Sequence, residues 1–368
     1  MIIWVHLLRA VAAPAVMFAH VHQSALATGI GDYVPDFAVG AAGVDLFFVI
    51  SGFVMVIASA SLFGHAASPV YFFLRRVARI VPLYWLASGV ALCVIYLIWA
   101  HFEPPNISFR NVITSLFFIP DARPDGAVQP IYSLGWTLNF EMAFYVSFSV
   151  FLLLRPRLAI PGLSILMIGV VFIAQRYPPP LPFSFWTKPI IAEFVFGMLI
   201  GLVRLEGLRI PNRLSPLLAA SGAVWLAASW GLSWQDLPRL LSWGLPAAML
   251  VAAGGLSRTD LTLRGWIVSF LILVGDSSYA LYLFHPFAAI LPYKLFGRFL
   301  APTSAPYFYA VTIVISCIAS AIVIHVAIER PVTRRLQKLI DRRFAPSETA
   351  LAIDANVMPS TSPSVGQN

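Results

Sequence analysis

The chain of 368 residues is 59% hydrophobic and only 11% charged, with a mean hydropathy of +0.83. A soluble domain is on average about a quarter charged, so this composition excludes a water-coated surface and points to an integral membrane protein. The formal charge of +8 comes from basic residues set between apolar runs, which argues against a nucleic-acid partner. Cys93 and Cys317 lie in apolar segments and leave no disulfide framework or CxxC metal site.

A hydrocarbon core about 30 Å thick takes about 20 apolar residues per helix. That template fits ten segments: 2–23, 40–62, 80–101, 133–154, 158–175, 189–204, 214–231, 238–256, 266–293 and 305–328. The expected fold is therefore all-α, a polytopic membrane protein of about ten transmembrane helices. Gly275-Asp276-Ser277-Ser278 falls near the middle of the ninth segment and predicts a break there. The first segment reads as a retained helix rather than a signal peptide, despite Ala25-Leu26-Ala27, because no basic region precedes it and it carries Arg9 and His20. Lys and Arg resist translocation. The groups Arg75-Arg76 and Arg79, Arg155 and Arg157, Arg204 to Arg213, Arg258 and Arg264, and Arg330 to Arg343 all fall on one side, so both termini are expected in the cytoplasm. Residues 1–343 form one transmembrane domain, and 344–368, rich in Pro, Ser and Thr, read as a disordered tail. With no soluble catalytic domain in view, chemistry is expected from the membrane core.

A charge at helix mid-depth costs about 2.5–3.5 kcal/mol on the insertion scale, so each needs a partner, water or a task. Arg9 and His20 are eleven residues apart, which is close to three full turns and about 16 Å of rise, so both project from one face. Glu141, Asp45 and His285 are expected to share a layer with His20 in the outer half. A carboxylate beside an imidazole orients and charges a general base; the other reading of such a layer is a buried ion-pair network that holds helices together. On the inner side, Arg75-Arg76-Val77-Ala78-Arg79 is placed in the loop before the third helix. Guanidinium forks match phosphate oxygens, so this loop is a candidate phosphate site, with positive-inside anchoring as the other reading. No Walker loop, HExxH or GxSxG motif is present.

Several segments in order resemble the acyltransferase-3 family of membrane O-acyltransferases. Arg9 and His20 match its Arg, ten residues, His pattern. Gly43-Val44-Asp45-Leu46-Phe47-Phe48-Val49-Ile50-Ser51-Gly52-Phe53 is similar to its second-helix motif, and Arg76-Val77-Ala78-Arg79 to its Arg-x-x-Arg loop. Trp136 to Tyr145 resembles the helix-four motif with its acidic residue, and Ser278 to His285 and Glu329-Arg330-Pro331 complete the set. The resemblance implies a bacterial cytoplasmic (inner) membrane enzyme with ten helices. It implies transfer of an acyl group, usually acetyl, from acyl-CoA to a hydroxyl of a glycan or lipid-linked saccharide, with no permanently bound cofactor and no metal. It also implies functional roles for His20, Arg9, Arg76 and Arg79. The combined expectation is that Arg75, Arg76, Arg79 and Arg9 hold the acyl-CoA, that His20 with Glu141 is catalytic, and that Asp45, Tyr279, Tyr282 and His285 form a supporting polar layer. The other reading is a proton-coupled transporter of a glycan or small solute, in which the buried His and carboxylates relay protons.

Overall fold

The computed structural model describes residues 3–27, 37–97, 107–231, 237–258, 264–296, 299 and 304–345. In chain order it contains α1 (Ile3–Ala27), α2 (Gly43–Ala58, entered through a 3-10 turn at Ala38–Ala42), α3 (Ser68–Leu97), α4 (Phe109–Leu116) and α5 (Trp136–Phe151). Next come α6 (Pro156–Arg176), α7 (Phe183–Trp186), α8 (Ala192–Leu205), α9 (Leu214–Gly231) and α10 (Leu245–Gly255, entered through a π-helical turn at Leu240–Gly244). The chain closes with α11 (Trp266–Asp276), α12 (Ser278–Phe296), α13 (Pro306–Ile324) and α14 (Arg330–Phe344), the last two joined by a π-helical turn at His325–Glu329. Among the described residues the fold is all-helical, with only two isolated β-bridges.

Helix occupies each of the ten apolar segments. Five stretches, 3–22, 38–58, 68–97, 156–176 and 307–344, are long and apolar enough to cross a membrane, and α11 with α12 makes a sixth if the bent pair counts as one span. The shorter ones, such as the 16 residues of α5, rise only about 24 Å. Large apolar side chains cover the outside of the bundle: Ile165 and Phe172 on α6 and Ile315 and Val323 on α13 are all more than half exposed. A surface of that kind is stable against acyl chains and not against water.

Three features depart from the expected layout. α3 begins at Ser68, twelve residues before the predicted 80, so Arg75, Arg76 and Arg79 stand on a helix and not in a loop. The stretch Arg330 to Arg343 is also helical, as α14, and it packs along α3. The fifth apolar segment, expected at 158–175, extends at both ends to the 21 residues of α6. The break in the ninth segment is where Gly275-Asp276-Ser277-Ser278 predicts it: α11 and α12 meet at 75° around Ser277. The tail from residue 346 onward lies outside the described residues.

α1 sits at the centre, against α2, α10, α11 and α12. α2 crosses α8 at backbone contact. A Cβ on Gly197 would meet the Val49 carbonyl oxygen at 2.0 Å, and one on Gly52 would meet the Phe194 carbonyl oxygen at 2.2 Å. Only glycine allows that approach, and it brings α5, α2 and α8 together around a stack of Phe48, Phe140, Phe144 and Phe194.

Candidate active site

One cavity of about 130 Å³ opens among α1, α2, α3, α5 and α12. Its polar wall is built at helical spacing. α3 contributes Arg76 and Arg79, three residues apart; α5 contributes Thr137, Glu141 and Tyr145, four apart; α12 contributes Ser278, Tyr279 and Tyr282; α1 contributes Arg9 and α2 contributes Ser51. Residues three or four apart share a helix face, so each element presents one polar stripe to the same space. Val44, Phe47, Phe48, Val54 and Met55 of α2 form an apolar wall opposite.

Arg9 donates through Nε and Nη2 to Ser278 Oγ, at 3.0 and 2.8 Å. That serine is the first residue of α12, so the break of the ninth segment is what brings a hydroxyl to the arginine. Glu141 accepts from Ser51 Oγ at 3.2 Å and from the Tyr145 hydroxyl. The Arg76 guanidinium lies 5.3 Å from the Phe72 ring centre and 6.0 Å from that of Tyr145, within cation–π range of both rings. Its Nε is buried with no hydrogen-bond partner. A buried cationic donor left unpaired is costly unless a ligand completes it. Three guanidiniums and one carboxylate on the wall give the cavity a net positive lining suited to an anion with several oxygens.

Tyr279 donates to the Ile80 carbonyl at 2.8 Å, fixing α12 to α3, and Tyr282 donates to the Leu134 carbonyl at 2.9 Å and lies 3.0 Å from Thr137 Oγ1. One turn further along α12, His285 is 2% exposed. Its Nδ1 lies 3.1 and 2.9 Å from the carbonyls of Leu281 and Tyr282. Two acceptors fix the proton on Nδ1 and leave Nε2 as a bare acceptor, which has no partner. The His20 ring stacks on it, centre to centre 5.1 Å at 30°. Arg9 meets Ser278 and His20 meets His285, so α1 and α12 run parallel and carry two polar levels, arginines at one and imidazoles at the other.

The expected grouping needs four corrections. Glu141 belongs with the arginines, held by Ser51 and Tyr145, and makes no hydrogen bond to His20. Asp45 is bonded to Arg239 and to neither histidine: Arg239 grips it with two bonds of 2.9 and 2.7 Å, beside Glu193, which is fully buried. Arg75 does not line the cavity, because Tyr71 and Asp341 of α14 engage it. His20 and His285 lie beyond the wall formed by Tyr282. Depth in the membrane does not say which neighbour a side chain faces, and Glu141 faces Ser51 and Tyr145.

Residues the sequence reading passed over include Ser51, Thr137 and Tyr145; the last two stand four residues either side of Glu141, which was the available signal. His6 Nδ1 lies 2.7 Å from Asp276 Oδ1, and His325 Nδ1 donates to Glu329 at 2.8 Å. Among the described residues no cluster of three His, Cys, Asp or Glu is arranged to hold a metal ion.

Residues 2–325 match the acyltransferase domain of the acyltransferase-3 family. The chain is 36% identical over 313 residues to the exopolysaccharide production protein ExoZ of Rhizobium meliloti (strain 1021), covering 81% of this chain and 91% of that protein. It is 24% identical to the acyltransferase MdmB of Streptomyces mycarofaciens, over 81% and 82% of the two chains. It is 25% identical to the putative peptidoglycan O-acetyltransferase YrhL of Bacillus subtilis (strain 168), over 50% of this chain and 32% of that protein. No solved structure gives a significant match. With the family domain spanning nearly its whole helical bundle, the chain belongs to the acyltransferase-3 family and is a membrane acyltransferase.

Proposed function

We propose that the protein transfers an acyl group, acetyl in the first instance, from acyl-CoA to a hydroxyl of an exported or surface glycan, from the bacterial cytoplasmic membrane with both termini in the cytoplasm. The observation that carries this reading is the pairing of levels along α1 and α12. Arg9, Arg76 and Arg79 line a cavity with an orphan guanidinium donor, and an imidazole pair stands about one helix turn past its far wall. Arginine forks suit the phosphates of CoA, and the apolar α2 wall suits a pantetheine arm carrying no charge.

At the second level, His20 is the general base or the transient acyl acceptor. As base it takes the proton of the acceptor hydroxyl while the oxygen attacks the thioester carbonyl, and the CoA thiolate leaves and is protonated. Glu141 supports this from the arginine level, by holding the Ser51 and Tyr145 hydroxyls and balancing one arginine. A glycan acceptor is supported by the name of the Rhizobium relative, an exopolysaccharide production protein, and by that of the Bacillus relative, a putative peptidoglycan O-acetyltransferase. Mass spectrometry of the surface and secreted polysaccharide from cells with and without the protein tests the reading. An alkali-labile, acetyl-sized mass difference that depends on the protein is expected; identical glycans in both would refute it.

A further inference from the structure

α14 carries charge that the transfer just described does not use. Arg334, Lys338 and Arg342 recur every four residues and form one ridge, and all three are exposed. Asp341, the one acid of this helix, is already engaged: it accepts from the Tyr71 hydroxyl at 3.0 Å and from the Arg75 guanidinium of α3. These bonds fix how the two helices lie. Asp341 comes near the end of α14 and meets the start of α3, and the turn at His325–Glu329, about 18 Å of helix earlier, still packs on α3. Only about 5 Å of α3 precedes Tyr71, so α14 runs antiparallel to α3, from Arg75 toward Arg79 when followed back from Asp341.

Helical rotation sets which side of this pair the ridge occupies. At about 100° per residue, Arg79 and Arg76 stand about 40° and 100° round α3 from Arg75, and Arg334 and Lys338 stand about 20° and 60° round α14 from Asp341, all in the same rotational sense along their own chain. Antiparallel helices turn in opposite senses when viewed from one end, so these displacements bring all four basic side chains to the same side of the pair. Arg76 and Arg79 line the cavity there. Arg343, about 160° the other way from Asp341, stands on the opposite face of α14.

The cavity has a direction as well. Thr137 and Tyr282 close it toward the imidazoles, whereas Arg76 and Tyr145 stand at its other end. A donor whose thioester lies at the imidazole end therefore extends its nucleotide past Arg76 and Arg79, alongside the ridge. The ribose of CoA carries a 3′-phosphate at that end, remote from the thioester, and guanidinium and ammonium groups are fitting partners for it. Building on the acyl-CoA reading above, we infer that Arg334 and Lys338 bind the 3′-phosphate of the donor, so that α14 continues the arginine grip of α3 outside the cavity. Positive-inside anchoring asks only for charge and gives no dependence on the ligand's 3′-phosphate.

The test compares acetyl-CoA with 3′-dephospho-acetyl-CoA by equilibrium titration on the full chain in phosphatidylcholine nanodiscs. The unsubstituted protein should bind acetyl-CoA about tenfold more tightly than the dephospho form. Arg334→Gln combined with Lys338→Gln should abolish that preference by weakening acetyl-CoA alone, and Arg343→Gln, which removes a charge from the far face, should keep it. No preference in the unsubstituted protein, a preference that survives the double substitution, or one that Arg343→Gln also removes, would overturn the inference while leaving the acyl-CoA reading intact. An anionic lipid headgroup offers the ridge the same phosphate chemistry. A ridge occupied by lipid would show no 3′-phosphate preference and a gain in thermal stability from phosphatidylglycerol that the double substitution removes, and that pattern also overturns the inference. No binding of either ligand by the unsubstituted protein would overturn the acyl-CoA reading and the inference together. If the double variant does not accumulate, Lys338→Gln alone is read by the same criteria, with about a threefold loss of preference expected.

Discussion

Replacing Arg76 separates a phosphate grip from a topology anchor. Its guanidinium has a buried Nε with no partner and lies against the rings of Phe72 and Tyr145, so a bound anion would gain a charge-assisted hydrogen bond from a donor already packed in place. Such a bond is worth about 1.5–3 kcal/mol net, and a second contact from the same fork brings Arg76→Ala to about 3 kcal/mol, or roughly a hundredfold in affinity. Arg76→Lys keeps the charge and positive-inside bias but loses the planar fork and much of its stacking, and should fall between, at about tenfold. Equilibrium titration of acetyl-CoA against the purified protein in nanodiscs reads both. The same series on Arg75, which is already engaged by Asp341 and Tyr71, should shift affinity by less than about threefold. Equal effects at 75 and 76, or no loss in Arg76→Lys, would show that charge and not geometry is at work and would refute the argument.

His20→Ala should lower transfer by about two to four orders of magnitude while leaving acetyl-CoA affinity within about threefold, since the imidazole lies outside the cavity wall; loss of donor binding in that variant would contradict the division into two levels. Arg239→Gln should destabilise more than Asp45→Ala, because it strands a carboxylate that is fully buried whereas Asp45→Ala strands an arginine that is 41% exposed and reaches water. The costs are about 3 and about 1 kcal/mol, read by thermal unfolding in detergent, and the reverse order would refute the pairing. Gly197→Ala drives a Cβ onto the Val49 carbonyl and should cost about 1–3 kcal/mol, while Gly169→Ala on α6, with nothing within 4 Å of the added carbon, should be neutral or mildly stabilising.

What could be read from the sequence was set by one-dimensional physics. Apolar length located ten helical segments, because backbone groups in lipid must be satisfied within a helix. The glycine, aspartate and serine run at 275–278 announced the break that supplies Ser278 to Arg9. The start of α3 at Ser68 was hidden because Arg75, Arg76 and Arg79 interrupt the apolar run, although a helix tolerates them where α14 supplies Asp341 and the cavity supplies space. Glu141 was grouped with His20 by depth alone, a coordinate blind to rotation about the bundle. Its true partners, Ser51 and Tyr145, follow from which helices touch, and that depends on close approaches such as Gly52 and Gly197, whose meaning appears only once α2 and α8 are packed together. Arg239, the partner of Asp45, lies 194 residues away, beyond any local pattern.

On the function proposed above, one protein carries an acyl group from an anionic carrier held by arginines to a hydroxyl activated at His20. Proteoliposomes containing the purified chain, supplied with acetyl-CoA labelled in its acetyl group and with polysaccharide from its own host, test this in one step. Label should appear on the glycan as an alkali-labile ester in the unsubstituted protein, and should be lost in both Arg76→Ala and His20→Ala. Glycan labelling that persists in His20→Ala, or label that never leaves CoA while the protein remains folded, would contradict it.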